Sequence, residues 1–171
     1  MFTKFQKINL TIWSIICLIF IAMMIIKNID FSINCKQYLK RAADANSVEL
    51  ALVNLNIAIK YLEDNNLTNG VVSIFLRQPK NDIGFWYNNL VSCRNELDKV
   101  NLETTALEKT NILMKLRETL LDVKETGSYV THPGDIAVYP HNKLFFWVIF
   151  ICIINIVWCG LLPLVIMVFK Y

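Results

Sequence analysis

The sequence predicts an all-α membrane protein: two transmembrane helices flank an extracytoplasmic bundle of about three helices, with a short β-hairpin before the second span. Three observations carry that prediction. Apolar residues make up 55% of the 171 and charged residues only 18%, a balance shifted well away from an ordinary soluble domain. The surplus is concentrated in two uncharged runs, one near each end. Between them lies an amphipathic segment whose apolar residues recur at helical spacing.

Residues 1–7 read as a short basic tail and residues 8–26 as the first span. "INLTIWSIICLIFIAMMII" places nineteen uncharged residues between Lys7 and Lys27, close to the ~20 that cross a hydrocarbon core of ~30 Å. The alternative is a cleaved signal peptide. Its apolar region would run only ~7–15 residues, and the following "KNIDFSINC" offers no Ala-x-Ala-like cleavage site. The residues before Cys35 also lack the small side chain that lipoprotein processing needs. The run therefore predicts an uncleaved anchor.

Residues 27–143 form the outer domain. No glycine precedes Gly70 and no proline precedes Pro79, so the first helix is free to continue beyond the membrane. From Ala45 a heptad-like seam follows through Val48, Leu52, Leu55, Ile59 and Leu62. Leu50, Ala51, Ile57 and Ala58 widen it to the face of a globular bundle. "EDNNLTNG" then stops the helix, with Gly70 suited to a left-handed backbone. "VVSIFLRQP" fits either a strand or a buried helical turn. A second helix runs from the N-cap Asp82 to Val100, with Trp86, Leu90, Cys93 and Leu97 inward. The third starts at the capping box Thr105–Glu108 and passes Leu113, Leu116, Leu120 and Val123 to a stop at Gly127. In "SYVTHPGDIAVYPHNK", Pro133-Gly134 fits a type II turn, which would let "YVT" and "IAVYP" pair as the hairpin.

Residues 144–169 are the second span, twenty-six uncharged residues between Lys143 and Lys170. That length predicts a tilt, or a bend near Gly160 and Pro163. Asn155 is a candidate intramembrane contact with another helix, or else bonds to its own backbone. Residues 170–171 close the chain. Three of the seventeen basic residues lie in the tails without any acid, leaving fourteen against fourteen acids in the middle. The positive-inside rule then puts both termini in the cytoplasm and the middle outside a plasma (inner) membrane. A net charge of +3 is too small and dispersed to predict nucleic-acid binding.

Candidate chemistry is sparse. Cys35 and Cys93 are the two cysteines of the outer domain, able to form a disulfide in an oxidising compartment if they meet. Phe85, Trp86 and Tyr87 form its densest aromatic patch, read as core with Trp86 inward or as a partner or ligand contact. His132 and His141, with Asp135 between them, are too few and wrongly spaced for a zinc site. The mixed charges of "EKTNILMKLRETLLDVKE" predict a solvated face. No nucleotide, hydrolase or metalloprotease motif occurs, and the expectation is no cofactor and no metal. Asn66-Leu67-Thr68 is a glycosylation sequon, relevant only in a host that glycosylates secreted chains.

The segments "QYLKRAADANSVELAL", "DIGFWYNNL" and "EKTNILMKLRETLLD" resemble those of small two-span membrane proteins of unknown function found in bacteria, cyanobacteria particularly. The resemblance covers most of the outer domain and implies no activity. In layout the chain is similar to polysaccharide chain-length regulators and to the sensor half of chemoreceptors. It lacks the long external helices and proline-rich second span of the former and the signalling module of the latter, so neither activity carries over.

The sequence thus points to a non-enzymatic integral membrane protein whose outer domain makes protein–protein contact, as a scaffold or accessory subunit. The expected partners are the bilayer and a second copy or another membrane protein. Self-association would use the spans and the Ala45–Leu62 helix, and tails of under ten residues leave no room for cytoplasmic output. The alternative is an extracytoplasmic ligand sensor, with a pocket near Trp86 and Tyr87, that signals through its spans to a partner protein.

Overall fold

The computed structural model describes residues 4–75, 77–101, 103–125 and 127–158. Helix α1 (Lys4–Phe31) runs through the first apolar run and out past Lys27. A π-helical turn, Ser32–Lys36, carries it directly into α2 (Gln37–Ala43). The turn inserts one residue, closing with the Gln37 N–H on the Ser32 carbonyl, and so rotates the downstream face by about 100°. Cys35, Leu39 and Ala42 then point into the helical bundle and are fully buried. Among the described residues, α1 with its continuation is the one helix long and apolar enough to cross a membrane, and none of its apolar stretch is buried within the protein.

Four helices pack in a ring. Helix α2 lies against α3 (Val48–Asp64), α3 against α4 (Ile83–Asp98), α4 against α5 (Ala106–Leu120), and α5 back against α2. The domain after the first apolar run is therefore a bundle of four helices rather than about three, because the continuation of the first helix supplies the extra member. Its core holds Leu39, Leu55, Leu62, Leu90, Leu97 and Leu116 at no more than 2% exposure, and each such side chain contributes about 1.5–3 kcal/mol on burial. The Tyr61 hydroxyl donates to Asp30 Oδ2 at 2.7 Å, tying α3 to α1 just above the apolar run. Exposed ion pairs join Lys115 to Glu96 at 2.7 Å and Arg117 to Asp44 at 3.7 Å, and at such exposure water and salt screen them.

The helix ends obey local chemistry. Helix α3 begins at Val48, not Ala45, because Ser47 is its N-cap and accepts the Leu50 N–H at 3.2 Å. It stops in a Schellman motif: Leu67 N–H bonds to Leu62 O at 2.7 Å and Asn66 N–H to Glu63 O at 3.0 Å. Asn66 (φ 57) takes the left-handed position there, so Gly70 is not the stop. Asp82 caps α4 as expected. The capping box at Thr105 and Glu108 is complete, each side chain accepting the other residue's backbone N–H.

The hairpin uses other residues than expected. Strand β1 (Leu121–Lys124) pairs antiparallel with β2 (Gly127–Val130), Leu121 opposite Val130. These two side chains are buried, whereas Val123, on the same face of β1 two residues on, is exposed, so only the helix-proximal end of the hairpin packs against the core. Helix α5 therefore ends at Leu120, and Gly127 (φ +131) serves the hairpin instead of ending a helix. "IAVYP" does not pair; Ile136–Val138 is a 3-10 turn.

Helix α6 (Asn142–Ile156) returns antiparallel to α1, with the Phe20 and Phe145 rings 5.5 Å apart and Cys152 beside Cys17. It has fifteen residues, short of the ~20 a crossing needs, so two spans are not both present among the described residues. The rest of the second apolar run, including Gly160 and Pro163, lies outside them. Asn155 donates to Ile151 O of its own helix at 3.0 Å.

Candidate functional site

A cleft of about 1070 Å³ lies between the Val72–Asp82 loop, the first two turns of α4, and the segment from Tyr129 to Asp135. The loop is closed at its neck. Val71 bridges to Asp82, the Ile83 N–H bonds to Gly70 O at 2.8 Å, and the Val72 N–H bonds to Asn81 O at 3.1 Å. Across the loop, Asn81 Nδ2 donates to Ser73 Oγ at 2.8 Å. Gly70 (φ +112) makes the neck possible: a Cβ there would lie 2.0 Å from the Tyr139 hydroxyl.

Two aromatic residues of α4 divide the labour. Trp86 is 8% exposed and forms the inner wall, its Nε1 donating to Thr131 O at 2.8 Å. This bond spans the cleft base and joins α4 to the exit of β2. Phe85 is 66% exposed and lines the cleft. The expected patch is thus split, with Tyr87 on another side. Its hydroxyl donates to Glu63 Oε1 at 2.7 Å, and that bond is the main reason its pKa is raised.

His132 and Asp135 line the far side, whereas His141 is not part of the cleft. The His132 ring meets Phe31 edge-on at 5.4 Å, and its Nδ1 lies 2.9 Å from Pro133 O. Burial lowers its pKa below the usual 6.5; nearby Lys36 adds to the effect and the Pro133 carbonyl opposes it. The imidazole is therefore neutral at pH 7. Asp135 adopts φ 58 in the turn after Gly134. No group of three His, Cys, Asp or Glu able to hold a metal occurs among the described residues, and His132 and His141 do not converge on one point.

Charges of both signs border the cleft: Lys80 and Lys124 face it alongside Asp82, Asp122 and Asp135. Asp82 Oδ1 is engaged as the α4 cap at 2.9 Å, and Asp122 lies 4.0 Å from Lys124. Cys35 and Cys93 are both buried free thiols, and burial pushes the Cys93 pKa up. The sequence reading missed the contribution of the Val72–Asp82 loop. "VVSIFLRQP" has the run length of a strand, but among its described residues the structure assigns a single isolated bridge, at Val71, and no strand.

A second surface lies on α3. Leu50, Val53 and Ile57, one helical turn apart on the side away from the core, are 41–57% exposed. Ile26 and Ile29 of α1 and Ile33 of the π-helical turn are also exposed. No protein-family model matches the chain, and neither a curated protein nor a solved structure matches it.

Proposed function

We propose that the protein is a non-enzymatic membrane-anchored scaffold or accessory subunit, with α1 and α6 as its two anchors and the bundle outside the plasma membrane. In this reading both termini are cytoplasmic, and α3 is the contact face for a second copy or another membrane protein. The observation that carries it is the exposed stripe of Leu50, Val53 and Ile57 on a helix whose other face is sealed in the core. Three apolar side chains at helical spacing on a solvated face favour a docking partner. Particle mass after extraction in mild detergent tests it. The wild type runs above monomer mass, and Val53→Lys with Ile57→Lys returns it to monomer while the far-UV circular dichroism stays helical. A strictly monomeric wild type that captures nothing from native membranes removes this reading.

A second reading is favoured by the cleft: an extracytoplasmic ligand-binding domain that passes a shift through α1 and α6 to a partner. The cleft has the volume of a small-molecule site and a mixed lining. Its wall residue Trp86 makes binding visible as a change in tryptophan fluorescence. A ligand screen that leaves both fluorescence and thermal midpoint unchanged counts against it.

A further inference from the structure

We propose that the cleft is a lateral-access site for a zwitterionic phospholipid of the outer leaflet, with Phe75 as its bilayer-side lip. The inference deepens the ligand-binding reading and rests on α6 lying in the membrane.

Depth comes first. Helices α1 and α6 are antiparallel, and the pairs Phe20–Phe145 and Cys17–Cys152 set their register. Phe146 therefore lies level with about residue 21 of α1, which is about 9 Å toward the cytoplasm from Lys27 at a rise of 1.5 Å per residue. The Phe75 ring sits 5.2 Å from that of Phe146 and 6.2 Å from that of Trp147. Buried Asn142, at the head of α6, donates through Nδ2 to the Val72 carbonyl, so the loop descends beside the first turns of α6. Phe75 is 68% exposed within the protein. In this loop Ile74 and Phe75 precede Arg77 and Lys80. Apolar residues at the tip and basic ones above them suit the boundary between acyl chains and headgroups. Loop backbone is excluded from the hydrocarbon centre, which sets this boundary as the limit of its descent.

Phe75 belongs both to this aromatic cluster and to the cleft wall. The apolar side of the cleft, from Phe75 through Phe85 to Trp86, therefore opens toward the leaflet. At the far side His132 touches Phe31, where α1 leaves the apolar run. Thus the cleft lies over the membrane surface, not at the distal tip of the bundle. Its polar border carries lysines and aspartates together, the complement of a phosphate and an ammonium in one headgroup. An acyl chain would lie along the aromatic wall.

The test reconstitutes the full chain in nanodiscs containing zwitterionic, anionic and glycosyl lipids, then identifies retained lipid by native mass spectrometry. The expected result is selective retention of the zwitterionic phospholipid, with a severalfold loss in both Phe75→Ser and Phe85→Ser. Both positions are exposed, so the bundle remains folded. No retained lipid, equal retention in the variants, or retention of anionic or glycosyl lipid alone overturns the proposal. Depth is read separately with an environment-sensitive fluorophore on Phe75→Cys or Phe150→Cys. Quenching by brominated lipid, with protection from aqueous iodide, is expected at both. Iodide access at 75 alone defeats this proposal only, and access at both also removes α6 from the membrane.

Discussion

Gly70 joins two demands at one backbone position: φ of +112 and a Tyr139 ring where a Cβ would stand. Alanine there meets both the strain of a positive φ and a clash with an aromatic side chain. Gly70→Ala should destabilise the protein by about 2–4 kcal/mol, read as a lowered unfolding midpoint in detergent. His132 makes a pH-dependent contribution of the opposite character. Its folded pKa is held below the unfolded 6.5, chiefly by burial. Below that pH the unfolded chain binds a proton that the folded chain refuses. The stability it preserves is complete above pH 6.5 and erodes as pH falls toward the folded pKa. His132→Gln should flatten this acid-side loss, and unchanged steepness between pH 7 and 5 would show that other groups cause it.

At the scale of elements, short-range chemistry was readable where it is self-contained. The box at Thr105 and Glu108 needs only four residues, and it closes as its sequence predicts. Thr105→Ala should cost about 1 kcal/mol of stability, measured by chemical denaturation. Where two periodicities compete, the residues alone did not decide. Leu116, Leu120 and Val123 keep helical spacing, yet Leu121 and Val130 meet across a hairpin and bury each other's face. That pairing depends on residues nine apart and on Gly127, so the tertiary contact overrode the helical pattern. The four-residue turn at Asp44–Ser47 was hidden for a similar reason, since Ala45 fits the seam of α3 without belonging to it. Between elements, the Tyr61–Asp30 bond joins bundle to anchor, and burial followed by the Asp30 carboxylate raises the Tyr61 pKa. Tyr61→Phe should cost about 1 kcal/mol at this partly exposed site, and an unchanged midpoint would make the bond incidental.

The whole molecule combines an α1–α6 hairpin with a four-helix bundle that shares α1's continuation. Its apolar side chains include three sets: a buried core, the exposed stretch on α1, and the exposed α3 stripe. In the aromatic patch at Phe85–Tyr87, the spacing of Trp86 with Leu90, Cys93 and Leu97 marked Trp86 as the inward ring, and it is buried; where Phe85 and Tyr87 lie depends on what packs beside α4 and was not legible. Likewise, the cleft depends on a loop whose apolar residues carry no period of their own. Cys35 and Cys93 sit in the packed bundle as thiols. They should resist an alkylating reagent in the folded protein and react after denaturation; prompt reaction under native conditions would mean that the bundle opens.

A bundle held outside the membrane by two anchors, as proposed, is tested by cysteine accessibility in intact cells. Lys99 is exposed on the connection after α4, while Lys4 and Lys170 lie in the two tails. With a membrane-impermeant maleimide, the account predicts labelling of Lys99→Cys in intact cells, and of Lys4→Cys and Lys170→Cys only after permeabilisation. A Lys99→Cys protein that labels only after permeabilisation, or tails that label on opposite sides, would contradict it.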